Sequence, residues 1–484
     1  MGVATVNWQG RFAILGWGVS GKASAHALVK RGAQLCAFDG RAREDGQSEN
    51  DANVEFVSEA DSDALAEAVI DWKPDCIVVS PGIPAHHPIF SVAETAGIEL
   101  IGEVELAWRL QEDSEHAGRP WLCVTGTNGK TTTVGMLGAM LRAAGENAVE
   151  VGNIGLPICE AIDTDATVFA VELSSFQLHT VSTVSPLASV CLNVDADHLD
   201  WHGSAQAYAA DKAKVYHLTQ KACFYPASDI TVENMVAEAD VVEGARAIGL
   251  TLGIPSISQV GWVEDALVER AFVEKRHMQA QFLAEIDDLR VAYHDGVTDA
   301  ARMDATAAAG LARAFGVPPE AVAEGLRSFT PAHHRRAVIS HAADVTWIDD
   351  SKATNAHAAV ASLSGITPGT AVWIAGGDTK GQEFGDLVAR VAPLLRGVVV
   401  IGKDRSAIVN ALHQRAPQVP FVEVDGHEDW MFSVVNEAVA LSRPGDTVVL
   451  APACASWDQF RSYAQRGDVF RDAVKRLEAN WAAQ

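Results

Sequence analysis

The chain has 484 residues with 37 basic against 63 acidic, a formal net charge of −26. At about 150 residues per domain the length predicts roughly three domains, and 48% hydrophobic with 21% charged residues is the mix of a globular protein with a sizeable core. So acidic a chain is not expected to bind nucleic acid in general, because such proteins draw most of their affinity from neutralising phosphates with Lys and Arg. No apolar run approaches the roughly 18 residues of a membrane span, so no membrane is expected as a partner. Residues 1–10 lack the basic start and apolar stretch of a secretion signal. A small anionic substrate stays open, since that depends on a local pocket.

The seven cysteines are scattered and contain no Cys-x-x-Cys pair. Four lie inside apolar strand-like runs, at Cys36, Cys76, Cys123 and Cys191. Buried reduced thiols are therefore expected in place of a disulfide framework or a zinc site, and the cytosol is the expected compartment.

Apolar runs of strand length alternate with helical patterns, the signature of α/β architecture with mainly parallel sheets. Phe12-Ala13-Ile14-Leu15 predicts a strand, followed by a Gly-rich turn and a helix to Lys30. Leu35-Cys36-Ala37-Phe38 predicts the next strand, ending at Asp39, and Cys76-Ile77-Val78-Val79 leads into the turn Ser80-Pro81-Gly82. Residues 111–118 are polar and break the pattern. A second block opens at Trp121-Leu122-Cys123-Val124-Thr125 and continues through strands at 167–171 and 187–192. Residues 242–289 are less regular and are read as including antiparallel strands, and an Ala-rich helix runs from 304 to 315. After the linker Thr330-Pro331-Ala332, a third block has strands at 345–348, 371–374, 398–401 and 447–450. The expected domains are 1–117, 118–331 and 332–484: a Rossmann-like first domain, a central P-loop-type α/β domain and a Rossmann-like third.

Gly16-Trp17-Gly18-Val19-Ser20-Gly21 is a G-x-G-x-x-G between a strand and a helix, with Asp39 closing the following strand. Glycines of this kind let a pyrophosphate approach the helix N-terminus, while an acid reaches a ribose. Any such unit needs a tight first turn, so NAD in particular does not follow.

Gly126-Thr127-Asn128-Gly129-Lys130-Thr131-Thr132 is far more specific. The backbone N–H groups of the turn wrap a phosphate, Lys130 supplies a point charge, and the Thr131 hydroxyl suits Mg²⁺. A standard P-loop has Gly where Val124 stands, so this is a shortened form, and it is read as an ATP site. Glu172 follows the strand at 167–171, on the same rim as the loop, where a metal ligand or a helix cap both fit. Asn193-Val194-Asp195-Ala196-Asp197-His198-Leu199-Asp200 comes after the next strand, and its three acids and one His suit Mg²⁺ and substrate as well as they suit a solvated loop. Lys212 and Lys214 fall on a helical stretch, where surface lysines are the default expectation. In the third block Asp349-Asp350-Ser351-Lys352-Ala353-Thr354-Asn355, Gly376-Gly377-Asp378-Thr379-Lys380-Gly381 and Ala453-Cys454-Ala455-Ser456 each come after a strand. Topology brings such clusters to one crevice, a receptor for a small anion.

These segments resemble the Mur ligases, the ATP-dependent amide-forming family of bacterial cell-wall precursor synthesis. The resemblance rests on residues 126–132, Glu172-Leu173-Ser174-Ser175-Phe176-Gln177-Leu178, residues 193–200, Asp350-Ser351-Lys352-Ala353-Thr354-Asn355, and residues 453–460 with Gln465-Arg466-Gly467. The Ser-Lys-Ala-Thr-Asn and Ala-Cys-Ala-Ser segments resemble the D-glutamate-adding member.

That resemblance alone implies a role for each site residue. It has the first domain hold the UDP part of a UDP-N-acetylmuramoyl-L-alanine substrate, through Val19, Ser20, Asp39, Arg41, Ser80 and Gly82, with Asn153 and His198 from the central domain. It implies ATP contacts at Gly126, Thr127, Asn128, Gly129, Lys130, Thr131, Thr132, Asp304, Arg335 and Asp350. Two Mg²⁺ are implied at Thr131, Glu172 and His198, together with Lys212, which family members carbamylate. D-Glutamate is implied among Lys352, Thr354, Lys380, Ser456 and Tyr463. Catalysis then falls to Lys130, Glu172, His198 and Lys212, by way of an acyl phosphate. One departure from the family pattern stands out: Ala300-Ala301-Arg302-Met303-Asp304 occupies the place of a His-Asn-x-x-Asn segment. A monomer is expected.

Overall fold

The computed structural model describes residues 7–42, 54–195, 197–293, 296–426 and 429–482. Three sheets succeed one another along the chain. The first holds β1 (Arg11–Leu15), β2 (Gln34–Asp39), β3 (Glu55–Ser58), β4 (Cys76–Val79) and β5 (Glu99–Gly102), all parallel, in the order β3-β2-β1-β4-β5. The chain reverses direction across the sheet between β1 and β4. That opens a crevice at their carboxyl ends, where ligands of such sheets bind.

The second sheet contains β6 (Trp121–Thr125), β7 (Ala148–Gly152), β8 (Val168–Glu172), β9 (Ala188–Cys191), β10 (Ala222–Pro226), β11 (Arg246–Leu250), β12 (Gln259–Val263), β13 (Ala266–Glu269) and β14 (Gln281–Glu285). Its order is β14-β13-β12-β11-β10-β9-β6-β8-β7. The strands are parallel up to β12, and β12, β13 and β14 pair antiparallel, as the irregular hydropathy of residues 242–289 predicts. β6 lies between β8 and β9, so the segments after all three share one rim.

The third sheet has the order β15-β16-β20-β17-β18-β19, from β15 (Ala337–Ser340), β16 (Thr346–Asp349), β17 (Ala371–Gly376), β18 (Leu395–Ile401), β19 (Phe421–Glu423) and β20 (Thr447–Leu450). Only β15 runs antiparallel to its neighbour. Its central strands are apolar on both faces. Trp373, Val398 and Val449 fill one core, and Trp347, Ile374 and Leu450 fill the other, as parallel sheets covered on both sides require.

Met303–Ser328 joins the first two sheets in one compact unit, and Leu289–Arg302 joins the third sheet in another. Within the first unit, the helix Glu103–Glu112 fastens the two sheets together. The buried Glu105 carboxylate accepts the Ser182 and Thr183 amides, both at 2.9 Å, and pairs with Arg109 at 2.8 Å. Trp108 meets Trp121 edge to face at 5.1 Å between ring centroids. All seven cysteines are buried and free. No helix among the described residues is long and apolar enough to cross a membrane.

Candidate active site

The phosphate loop leaves β6 and enters the helix Lys130–Ala143. Two of its residues need glycine. Gly126 and Gly129 have φ of 151° and 86°, and a Cβ on Gly129 would lie 2.4 Å from Asp304 Oδ1. The carboxylate of Asp304 therefore packs directly against the loop. Asn193, just beyond β9, holds the loop open: its backbone carbonyl accepts the Thr127 N–H at 3.0 Å and its side-chain oxygen accepts the Asn128 N–H at 2.9 Å.

Two lysines converge on one carbonyl. Lys130 Nζ donates to the oxygens of Gly126 (2.7 Å) and Thr127 (3.0 Å), and Lys212 Nζ donates to the same Gly126 oxygen at 2.7 Å. The expectation of a surface lysine fails here, since Lys212 is 1% exposed. It lies near the end of the helix Ala205–Ala213, with its ammonium 4.8 Å from the Tyr208 ring centroid. Burial, and then the charge of Lys130, pull its pKa down to about 7. Next to this pair, Thr131 Oγ1 donates to Glu172 at 2.7 Å, and Asn153 Nδ2 donates to the other carboxylate oxygen at 2.8 Å. Residues 126–131, Asn153, Glu172 and Lys212 thus form one cluster.

His198 stands at φ 52° before the turn Leu199–His202, with its ring 4.8 Å from Phe176, which belongs to the segment after Glu172. Sequence reasoning missed the group behind it. Asp211, adjacent to Lys212, accepts from or pairs with His179 (2.9 Å), His202 (3.0 Å) and Lys214 (3.1 Å), and His202 Nε2 reaches Ser175 Oγ at 3.0 Å. Burial alone would raise the Asp211 carboxyl. The bonds from His179 and the charge of Lys214 outweigh it and hold the pKa below the ordinary value. This network ties the helix bearing Lys212 to the segment after Glu172. The histidines responsible are far apart in sequence and carry no motif.

Among the described residues no group of three or more His, Cys, Asp or Glu side chains could by itself hold a metal ion. Thr131 and Glu172 offer two hard oxygen donors at the mouth of a phosphate loop. That suits Mg²⁺, which binds one or two protein oxygens and takes the rest of its octahedron from phosphates and water.

In the first sheet, the crevice between β1 and β4 is built tightly on one side and open on the other. Ser80 Oγ donates to Gly16 O at 2.7 Å, and a Cβ on Gly21 would come within 2.0 Å of that oxygen. Gly18 and Gly82 face open space, and Val19 is 74% exposed. Asp39 accepts the N–H groups of Trp17 (2.7 Å) and Arg41 (2.9 Å). Burial raises its pKa, but these bonds and the Arg41 guanidinium outweigh that, leaving a carboxylate held below its ordinary range. Ser20 lies in the first turn of the helix at the same rim.

In the third sheet the segments after β16, β20 and β17 lie side by side. Asp378 and Ala455 exchange two backbone bonds of 2.9 Å, joining the turn of Lys380 to the segment of Ser456. Lys352 Nζ lies 3.9 Å from the Tyr463 ring centroid, and Lys380 is exposed at φ 49°. Thr354 N donates to Lys352 O at 2.8 Å. Burial raises the Asp350 carboxyl, partly countered by Ser362 and by the charges of Arg335 and Arg336. The residue that organises this rim is Arg466, 1% exposed. Its guanidinium donates to Ser351 Oγ (3.0 Å), Ser351 O (2.9 Å) and Cys454 O (3.1 and 3.2 Å). His334 joins the same rim: its ring lies 2.6 Å from the buried Asp349, and its carbonyl accepts the Lys352 N–H at 3.2 Å.

Three family models match the chain in succession: "Mur ligase MurD-like, N-terminal domain" over residues 10–102, "Mur ligase middle domain" over 124–249 and "Mur ligase, glutamate ligase domain" over 334–454. The chain belongs to the Mur ligase family. It is 47% identical over 473 residues to the UDP-N-acetylmuramoylalanine--D-glutamate ligase of Streptomyces coelicolor, covering 96% of this chain and 98% of that protein. The enzyme of the same name from Streptomyces avermitilis is 46% identical over 484 residues, covering 98% and 100%. Among solved structures, the MurF ligase from Thermotoga maritima in complex with ADP aligns with a TM-score of 0.57 at 15% identity, over 98% of this chain and 99% of that one. At that identity the likeness shows the fold.

Proposed function

We propose that this Mur ligase joins D-glutamate to UDP-N-acetylmuramoyl-L-alanine, with ATP cleaved to ADP and phosphate, in peptidoglycan precursor synthesis. The observation that supports ATP chemistry is the meeting of Lys130 and Lys212 on the Gly126 carbonyl beside the Thr131–Glu172 pair. The charge of Lys130, close enough to lower the pKa of Lys212, stands where a polyphosphate would arrive. The choice of D-glutamate follows the curated relatives, which carry that name at 47% and 46% identity over nearly the whole chain.

The domains are 1–117, 118–331 and 332–484. The first takes the uridine diphosphate through Val19, Ser20, Asp39, Arg41, Ser80 and Gly82, with Asn153 and His198 contributing from the second. The loop amides of residues 126–132 and the N-terminus of the helix Lys130–Ala143 receive the ATP phosphates, and Lys130 turns from its carbonyls to the transferred group. Asp304, Arg335 and Asp350 serve the nucleotide, and Lys352, Thr354, Lys380, Ser456 and Tyr463 hold D-glutamate. Thr131, Glu172 and His198 would hold two Mg²⁺, which neutralise phosphate charge. Lys212 is suited to carbamylation: with its pKa near 7 a substantial fraction is a free amine at neutral pH, able to add CO₂.

The reaction runs in two steps. The alanyl carboxylate attacks the γ-phosphorus, ADP leaves, and an acyl phosphate forms. The amine of D-glutamate then attacks the carbonyl carbon, and phosphate departs. Phosphoryl transfer of this kind needs positioning and charge neutralisation more than a protein nucleophile.

The test is ADP release from ATP with UDP-N-acetylmuramoyl-L-alanine and single amino acids. Release with D-glutamate, and none with L-glutamate, L-alanine or a diamino acid, is expected. Release with a different amino acid moves the acceptor, and release with none overturns the reading.

A further inference from the structure

The central sheet carries a second cationic site, at the opposite end of its strands from the phosphate loop. Lys221 immediately precedes β10 and Arg246 opens β11, so both lie at the amino ends of parallel strands, whereas the loop extends from the carboxyl end of β6. Arg313 and Gly316 come from the end of the helix Asp299–Phe315. Ala271, Phe272 and Arg276 come from the connection between β13 and β14. Together these line a cleft of about 580 Å³, a volume in the range of small-molecule sites.

Four cations in one cleft are unexpected on a chain of net charge −26. Glu274 lines the rim and Glu269 lies beneath, 3.4 Å from Arg313, the one ion pair formed by the four among the described residues. Part of the cluster has a structural task. Lys221 donates to Ala314 O in the last turn of the helix, capping its carbonyl end, and Arg313 donates to Val317 O in the turn just past it at 2.6 Å. Arg246 and Arg276 have no such task. They share a single acceptor, Ala271 O, at 2.9 and 3.5 Å.

The cleft is also preorganised. The buried Glu269 carboxylate accepts the N–H groups of Ala271 (2.6 Å) and Phe272 (2.7 Å), fixing the loop that bears Phe272. The Arg246 guanidinium is held 5.0 Å from the Phe272 ring centroid. The buried Arg313 Nε has no hydrogen-bond partner, a donor still lacking an acceptor. Lys221 and Arg246 both have lowered pKa values, first from burial and then from repulsion by neighbouring cations.

From this cluster we infer a binding site for a small anion carrying two or more phosphoryl groups. The guanidinium forks of Arg246 and Arg276 match several phosphate oxygens at once, with Lys221 and Arg313 adding positive charge beside them, and the cleft is larger than a single phosphate needs. The site is separate from the ATP loop, yet the two share the helix Asp299–Phe315: Asp304 packs against Gly129 and Arg313 faces the cleft. Nine residues at 1.5 Å each put them about 14 Å apart along the helix.

Inorganic pyrophosphate, titrated calorimetrically into the full chain without Mg²⁺, tests this. The Lys130→Ala variant weakens the ATP loop, and the pyrophosphate binding that depends on Arg246 and Arg276 is expected to persist in it. Adding Arg246→Gln and Arg276→Gln should weaken that binding at least tenfold. If Arg246→Gln prevents folding, Arg276→Gln alone, on a partly exposed side chain, should weaken it at least threefold. An absence of binding to Lys130→Ala, or binding that these substitutions leave unchanged, overturns the site. Malonate binding as tightly as pyrophosphate would overturn the phosphoryl assignment. Ligase activity without pyrophosphate should be unchanged in Arg276→Gln, so failure of this site is distinguishable from failure of the ligase reading.

Discussion

The rim of the central sheet and the rim of the third sheet handle charge in opposite ways. In the central sheet, Lys130 and Lys212 bring two amino groups onto one carbonyl. In the third, the guanidinium of Arg466 is shared among Ser351 and Cys454 with hydrogen bonds throughout. Like charges crowded together favour the arrival of an anion, whereas a cation ringed by protein acceptors holds a scaffold. Burial cannot distinguish the two roles, because Lys212 and Arg466 are each 1% exposed. The partners do.

That contrast can be broken most forcefully at Lys130. Lys130→Ala should lower kcat/KM for ATP by about a thousandfold, or ~4 kcal/mol, with unchanged thermal stability; a loss of stability in place of rate would make Lys130 a scaffold residue. Arg466→Met should do the reverse. It strands buried carbonyls and destabilises the third domain by about 3 kcal/mol, read as a lower melting transition, while ATP binding to the loop stays intact.

Lys212 sharpens the comparison through pH. Its folded pKa of about 7 lies below the ordinary 10.5, so between those values the unfolded chain holds the extra proton and stability rises with pH. Below pH 7 both states are protonated and this contribution is flat. In CO₂-free buffer the slope attributable to Lys212 should approach ~1.4 kcal/mol per pH unit within the window. Lys212→Met should remove it, as pH-dependent melting curves from pH 7 to 9.5 would reveal. The smallest effect belongs to Tyr463→Leu. It removes the ring beside Lys352, and with an exposed cation–π contact worth ~0.5–1 kcal/mol the KM for D-glutamate should rise two- to fivefold.

The two rims also differ in how far the sequence discloses them. The central one is legible because its core is contiguous: residues 126–132 carry glycines, lysine and hydroxyl in one run, and strand β6 before it matches its hydropathy pattern. Lys212 is visible through family resemblance, but its burial is not, because helical periodicity gives no sign that Tyr208 and the loop close over it. The third rim is assembled from three segments stitched by Arg466 and His334, and neither the Arg466–Ser351 bond nor the His334–Asp349 pair leaves a local pattern. The Asp211 network with His179 and His202 is hidden for the same reason. Among strands, the well-buried β1, β4, β6 and β20 match the hydropathy reading at nearly their observed bounds. β3 and β19 escape it: they are short edge strands with half-exposed side chains, which lack a strong alternation to detect.

Activation of the alanyl carboxylate as an acyl phosphate is the step on which the ligase reading turns, and oxygen labelling tests it most directly. UDP-N-acetylmuramoyl-L-alanine carrying ¹⁸O in its alanyl carboxylate would be turned over with ATP and D-glutamate, and the released phosphate examined by mass spectrometry. The two-step route predicts one ¹⁸O in each phosphate, because the bond formed to the γ-phosphorus is made by a carboxylate oxygen that leaves with it. Unlabelled phosphate accompanying amide formation would contradict that route.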